Sequence, residues 1–174
     1  MSKRILVDPD LCTGCMICTQ VCSLTKNRTC NPSRARLRII DWEHSGLTVP
    51  VVCQDCVEPV CVACCPEAAI TQDAESGIVL LDAERCTSCR ICMGVCPYGG
   101  PILDPVERRV YLCDHCDGSP ACVSSCPTGA LDYCELGAEE RDMRMHYLAQ
   151  VRGSLVRLTR RAGGGAGSLE RSEA

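Results

Sequence analysis

Phenylalanine is absent from this chain of 174 residues, and one tryptophan and four tyrosines make up its aromatic content. A domain of this length ordinarily leans on large apolar side chains, so a core of the usual oily kind is excluded. No apolar run approaches the roughly 20 residues that cross a bilayer, which argues against a direct membrane span and leaves a partner as the route to any membrane. The opening MSKRILVDPD has neither a signal-peptide h-region nor a twin-arginine pair, and a cytoplasmic chain is the expectation. His44, His115 and His146 are scattered, no Ser/His/Asp set forms, and no catalytic residue is predicted. A formal charge of −4 disfavours nucleic acid as a partner.

Cysteine is abundant: 19 residues, about 11%, above the roughly 8 to 10% at which thiols decide an architecture. Without them the conventional apolar fraction falls to roughly 35%, so a group bound by sulfur has to supply part of the folding energy. Reduced cytosolic thiols and an odd total exclude a disulfide scaffold.

The thiols fall into four groups. Cys12, Cys15, Cys18 and Cys22 are spaced C-x2-C-x2-C-x3-C, and Cys86, Cys89, Cys92 and Cys96 repeat that spacing before Pro97. Cys53, Cys56, Cys61 and Cys65, before Pro66, and Cys113, Cys116, Cys122 and Cys126, before Pro127, carry a longer loop ahead of the third cysteine. These are bacterial ferredoxin spacings: three close thiolates hold one [4Fe-4S] cluster, and the fourth serves a neighbouring one. Zinc sites of four cysteines come as two separated pairs, whereas each group here is continuous and recurs four times. Sixteen ligands therefore predict four [4Fe-4S] clusters.

The intervening segments bear on pairing. After Cys65 and Pro66 come Ile70, turn signals from Asp73 to Gly77, and Ile78 to Asp82 ahead of Cys86, a hairpin between two cluster loops. The same halves recur apart, as Ala130-Leu131 after Cys126 and Ile5 to Asp8 before Cys12. Groups one and four would then form one double-cluster unit and groups two and three another, a ferredoxin inside a ferredoxin. A second candidate hairpin from Pro101 to Cys113 supports the alternative, one with two and three with four.

With these motifs the chain resembles the four-cluster electron-transfer subunits of molybdenum or tungsten pterin oxidoreductases. The resemblance runs from residue 5 to about 134 and rests on Ile5 to Cys22, the Cys56-Val57-Glu58-Pro59-Val60-Cys61 loop, Cys86 to Tyr98 and Cys113 to Leu131. It favours the nested pairing, an α+β fold of two ferredoxin-like units related by a pseudo-twofold, with short hairpins and helices. It implies that Cys12, Cys15, Cys18 and Cys126 hold one cluster, and Cys113, Cys116, Cys122 and Cys22 its mate. Cys53, Cys56, Cys61 and Cys96 would hold a third, and Cys86, Cys89, Cys92 and Cys65 the fourth. Group one departs from the pattern, with Ser23 where the others have proline. The opening ILVDPDLCTGCMICTQVCS is closest to the iron–sulfur subunit of multi-subunit tungsten aldehyde ferredoxin oxidoreductases. The resemblance implies a relay between a pterin-containing catalytic subunit and a flavin/NAD, quinone or ferredoxin partner in an oxygen-limited cytoplasm. Self-association into a longer relay fits two clusters at each end. The alternatives are a free polyferredoxin, or a relay for a molybdenum enzyme, carbon monoxide dehydrogenase or hydrogenase.

Three thiols remain. Cys64 adjoins Cys65, but only Cys65 keeps the x3 spacing before proline, and Cys30 and Cys134 are expected as small buried groups. His115, between Cys113 and Cys116, is expected beside the site or facing solvent. Arg34, Arg36 and Arg38 alternate with Ala35, Leu37 and Ile39, a strand with one charged face that is either solvated or offered to an acidic partner. The domain is expected over residues 1–134, an amphipathic helix over 135–162 and a flexible tail over 163–174. The stripe Met145, Leu148, Val151, Leu155 and Leu158 is read as a contact with another subunit.

Overall fold

A computed structural model describes residues 3–42, 47–135, 144 and 147–149. It is an α+β structure of short pieces: strands β1 (Lys3–Val7), β2 (Arg38–Trp42), β3 (Leu47–Val51), β4 (Ile70–Gln72), β5 (Val79–Leu81), β6 (Ile102–Leu103), β7 (Val110–Tyr111) and β8 (Leu131–Glu135). Among them lie helices α1 (Ile17–Asn27), α2 (Val60–Ala63), α3 (Ile91–Val95) and α4 (Ala121–Ser124). All sheets among the described residues are two-stranded and antiparallel: β1 with β8, β2 with β3, β4 with β5, β6 with β7.

The hairpin expected between groups two and three is β4–β5. Its turn closes where Gly77, at φ 65°, donates its N–H to the Asp73 carbonyl at 2.7 Å and Asp73 Oδ2 takes the Ser76 N–H at 2.7 Å. The β1–β8 ribbon repeats this connection with residues far apart in the chain. Asp8 N–H donates to the Ala130 carbonyl at 2.9 Å, as Asp82 N–H does to Ala69 at 2.8 Å, and each aspartate lies four residues before a cluster loop. Each carboxylate also caps its own turn, Asp8 taking the Asp10 N–H and Asp82 the Glu84 N–H. Helix packing follows the same division, α1 against α4 and α2 against α3. The other candidate hairpin also forms, as β6–β7, its turn capped by Asp104 Oδ1 at the Val106 and Glu107 N–H groups.

Missing proline in group one has a visible consequence. Pro97 follows Cys96, and α3 ends at Val95, because the residue before a proline is pushed out of the helical region. At Ser23 nothing stops α1, which runs on through Cys22 to Asn27. Ser23 is fully buried, and its hydroxyl donates to the Gln20 carbonyl at 2.8 Å while accepting the Asn31 N–H at 3.1 Å. Ser23→Pro, which would restore the motif of the other groups, is expected to destabilise the iron-loaded chain by about 3 kcal/mol. Anaerobic thermal unfolding of the loaded variant is the measurement, and an unchanged midpoint would contradict the account.

The arginine run is not a single strand. Pro32–Arg34 is a 3-10 turn and β2 begins only at Arg38. Nor do these side chains form a free docking face. Arg34 Nε lies 2.7 Å from Asp104 Oδ2 with Glu107 beside it, Arg36 pairs with Asp114 and stands over the Tyr111 ring, and Arg38 donates to the Gly99 carbonyl. Burial opposes charge on Asp114, but Lys26 at 2.8 Å and Arg36 hold its carboxyl below the usual range. All three guanidinium groups fasten the segment after group one to residues 99–114, the stretch that leads from group three into group four.

The β2–β3 hairpin is an insertion between groups one and two. Val49, Val51 and Val52 are at most 1% exposed and belong, with Leu37, to the apolar core. The described C-terminal residues return to this hairpin. Tyr147 is 1% exposed and its hydroxyl donates to the Pro50 carbonyl at 3.0 Å, and Leu148 packs on the core. Tyr147 and Leu148 therefore contact the core of this chain. Met145, Val151, Leu155 and Leu158, like His44 and His146, lie outside the residues whose side chains are described, as does the tail from 163.

Candidate functional site

Four local solutions to one problem, how to aim several backbone N–H groups at a sulfur, build the site. In each group the residue before the second cysteine has a left-handed backbone: Gly14 at φ 71°, Asp55 at 42°, Ser88 at 55° and His115 at 54°. Only one is glycine; Asp and His are among the residues that accept this region, through short side chains that bond locally. The turn directs the N–H of Gly14, Asp55 and His115 back to the sulfur of Cys12, Cys53 and Cys113.

The third cysteine is in every case the second residue of a short helix: Cys18 in α1, Cys61 in α2, Cys92 in α3 and Cys122 in α4. There it meets the N–H of the next residue, Thr19, Val62, Met93 or Val123, which is shared with the carbonyl of Met16, Pro59, Arg90 or Pro120 just before the helix. After the fourth cysteine the chain turns through a left-handed residue, Ala68, Gly99 or Gly129, for which the preceding proline sets the first φ. The following N–H then meets the sulfur, Ala69 to Cys65 and Gly100 to Cys96, each at 3.3 Å. At Cys126 burial raises the thiol, but the N–H groups of Leu131, Thr128 and Ala130 and the Thr128 hydroxyl bring it below its ordinary value. Cys22, with no such turn, takes the Arg36 N–H at 3.3 Å instead.

The sulfurs converge in four sets. Cys12, Cys15 and Cys18 line one pocket with Cys126, and Cys86, Cys89 and Cys92 line another with Cys65. Burial pushes Cys122 up to about 12, and the neighbouring Cys22 and Cys116 add to the effect. Burial likewise raises Cys61 to about 11, helped by Cys96 and Cys56, while Cys53 is raised by burial, Asp55, Cys113 and Cys61. Cys126 therefore stands with Cys12, Cys15 and Cys18, Cys65 with Cys86, Cys89 and Cys92, Cys22 beside Cys116 and Cys122, and Cys96 beside Cys56 and Cys61. Cys15 and Cys89 are exposed, Cys53 and Cys113 buried.

Other thiols differ. Cys64 lies near Cys65, Cys89 and Cys92 but donates to the Cys61 carbonyl at 3.5 Å and does not line the cavity. Cys30 is exposed, not buried as expected, because the turn after α1 carries it outward; Cys134 is half-buried in β8, opposite Arg4. His115 does not face solvent at all: it is wholly buried, with Nε2 2.9 Å from Asp55 Oδ2 and its ring edge-on to Tyr133.

The donor set fits iron–sulfur clusters. Among the described residues no three His, Cys, Asp or Glu side chains close around a point, as one metal ion requires, and the sulfurs instead surround open spaces. Burial raises Cys18 and Cys92 to about 11, so in an empty site these groups would be neutral thiols; bound iron supplies the positive charge that makes thiolates of them.

Comparison with known proteins agrees. Residues 44–136, more than half the chain, match the 4Fe-4S dicluster domain, and residues 5–22 the 4Fe-4S binding domain. The chain belongs to the 4Fe-4S dicluster domain family. It is 35% identical over 122 residues to the polyferredoxin-like subunit of an aliphatic sulfonate oxidoreductase of Pyrococcus furiosus, a match covering 70% of each chain. It is 36% identical to the thiosulfate reductase electron transfer subunit PhsB of Salmonella typhi, over 78% of this chain and 77% of that one. With the beta subunit of the NADH-dependent phenylglyoxylate dehydrogenase of Aromatoleum evansii it shares 38% identity over 75% of its length, but spans only 30% of that protein. A chain of the BamBC active-site complex of benzoyl coenzyme A reductase aligns over 90% of this chain and 96% of its own, at TM-score 0.46 and 23% identity. The three sequence relatives are named as subunits of oxidoreductases, two of them as electron-transfer or polyferredoxin-like subunits. Among the described residues no helix is long and apolar enough to cross a membrane.

Proposed function

We propose that this chain is the electron-relay subunit of a pterin-dependent oxidoreductase and holds four [4Fe-4S] clusters. The ligand sets would be Cys12, Cys15, Cys18 and Cys126; Cys113, Cys116, Cys122 and Cys22; Cys53, Cys56, Cys61 and Cys96; and Cys86, Cys89, Cys92 and Cys65. The observation that carries this reading is the convergence of each fourth cysteine on cysteines of another group. Such centres accept and return single electrons without bonding substrate.

The protein's part is to fix the order and the surroundings. Cys53 and Cys113 are mutual neighbours, and so are Cys18 and Cys122, which supports a line running from the first set through the second and third to the fourth. The two ferredoxin-like units are nested on this reading, β1–β8 belonging to one and β4–β5 to the other. Exposed Cys15 and Cys89 mark the two ends as the places where partners meet the line. The catalytic partner is proposed to be of the tungsten aldehyde oxidoreductase type, with a flavin/NAD, quinone or ferredoxin partner at the other end and a cytoplasmic setting. The subunit names of the relatives support an obligate complex over a free carrier.

Anaerobic native purification with metal analysis tests this. The chain is expected with about sixteen irons and a stoichiometric larger subunit that contains tungsten. Molybdenum instead would reassign the partner; no partner at all would make the chain a free polyferredoxin.

A further inference from the structure

Of the four left-handed loop positions, two meet each other. Asp55 and His115 occupy the same place in their motifs, and their side chains face across the junction of groups two and four, His115 Nε2 to Asp55 Oδ2 at 2.9 Å. Both are sealed from water, at 1% and 0% side-chain exposure. Asp55 Oδ1 takes the Val79 N–H at 2.8 Å and lies 3.9 Å from Cys53 Sγ. The pair therefore places a buried carboxylate against one set of sulfurs and an imidazole within the loop of the next. The imidazole makes no hydrogen bond of good geometry at either nitrogen, so the ring is held by packing on Tyr133 and by the aspartate.

A carboxylate so close to sulfur and shielded from solvent acts through a low dielectric, where a unit charge several ångströms away outweighs anything on the surface. It opposes the arrival of an electron at the adjacent centre, and its position singles out the set containing Cys53. We propose that Asp55, positioned by His115, sets the reduction potential of the cluster at Cys53, Cys56, Cys61 and Cys96 below that of its inner neighbour, making a step at the middle of the line. This inference rests on the four-cluster reading above. Arg144, bonded to the Gln54 carbonyl, brings an opposite charge to the same loop, and neutralising Asp55 leaves it in place.

Asp55→Asn removes the charge and keeps a side chain suited to φ 42°, and Asp55→Gly removes it with no backbone cost. The full chain is purified anaerobically, iron is counted, and a redox titration is followed by electron paramagnetic resonance. Iron is expected at the wild-type value, with one midpoint raised: at the potential where that cluster is half reduced in the wild type, the reduced-to-oxidised ratio should rise about tenfold. The other three midpoints should hold. Four unmoved midpoints, four moved together, or loss of iron in both variants would overturn the assignment, the last because the pair would then be only scaffold. A wild-type chain with far fewer than about sixteen irons would instead remove the four-cluster reading beneath it.

Discussion

Cys12→Ala and Cys126→Ala should each lower the iron content from about sixteen to about twelve per chain, and the double variant should also stay near twelve. The two residues are separated by more than a hundred positions yet line one cavity, so removing both damages the same centre once. Cys113→Ala with Cys126→Ala should fall to about eight, because those neighbours in the motif would serve different centres. The pairing of groups one with two and three with four leaves the Cys113/Cys126 result at about eight but changes the other: Cys126 would belong with group three, and Cys12→Ala/Cys126→Ala would also fall to about eight. Iron and sulfide analysis of the anaerobically purified variants decides between them. The centre at Cys12 suits the test because it lies at an end of the proposed line, so its loss leaves the buried junction intact.

Stripping all the iron should unfold the chain. No described strand exceeds five residues, two of the four helices have only four, and every sheet is a two-stranded ribbon. Helices that short have no stability of their own, and isolated ribbons are marginal in water. The buried core is made largely of valine, leucine, isoleucine and cysteine, with seven of the buried positions being cysteines. Structural zinc contributes about 10 to 16 kcal/mol to a small domain, as much as the whole stability of an ordinary protein, and cluster ligation is expected to carry comparable weight here. Chelation under denaturing conditions followed by return to buffer should give a chain without helical circular dichroism or a cooperative thermal transition. Adding ferrous iron, sulfide and thiol anaerobically should restore both. A cluster-free chain melting cooperatively within a few degrees of the loaded one would show that the apolar core suffices.

Much of this was legible because the chemistry is local. The four cysteine groups, the hairpin turn at Gly77 and the preference for Cys65 over Cys64 follow from spacing, and spacing survives folding unchanged. Ser23 could be seen to break the motif; that it lets α1 continue and ties the helix to Asn31 could not. The arginine alternation was misleading for the same reason. A charged residue every second position describes a face, but what covers that face comes from residues about 60 to 80 positions later, here Asp104, Asp114 and the Gly99 carbonyl. The β2–β3 hairpin was not among the expected hairpins, and its importance lies in what packs on it.

By itself the sequence determined the donor chemistry and the loops that present it, since a thiolate, a proline and a left-handed turn act within a few residues of one another. Tertiary structure alone decided that Cys22 finds the Arg36 N–H, that Tyr147 closes over Pro50, and that Asp55 meets His115 in the interior. Those outcomes depend on closing loops of roughly ten to a hundred residues, a choice settled by the packing of the whole body and written in no single stretch of the chain.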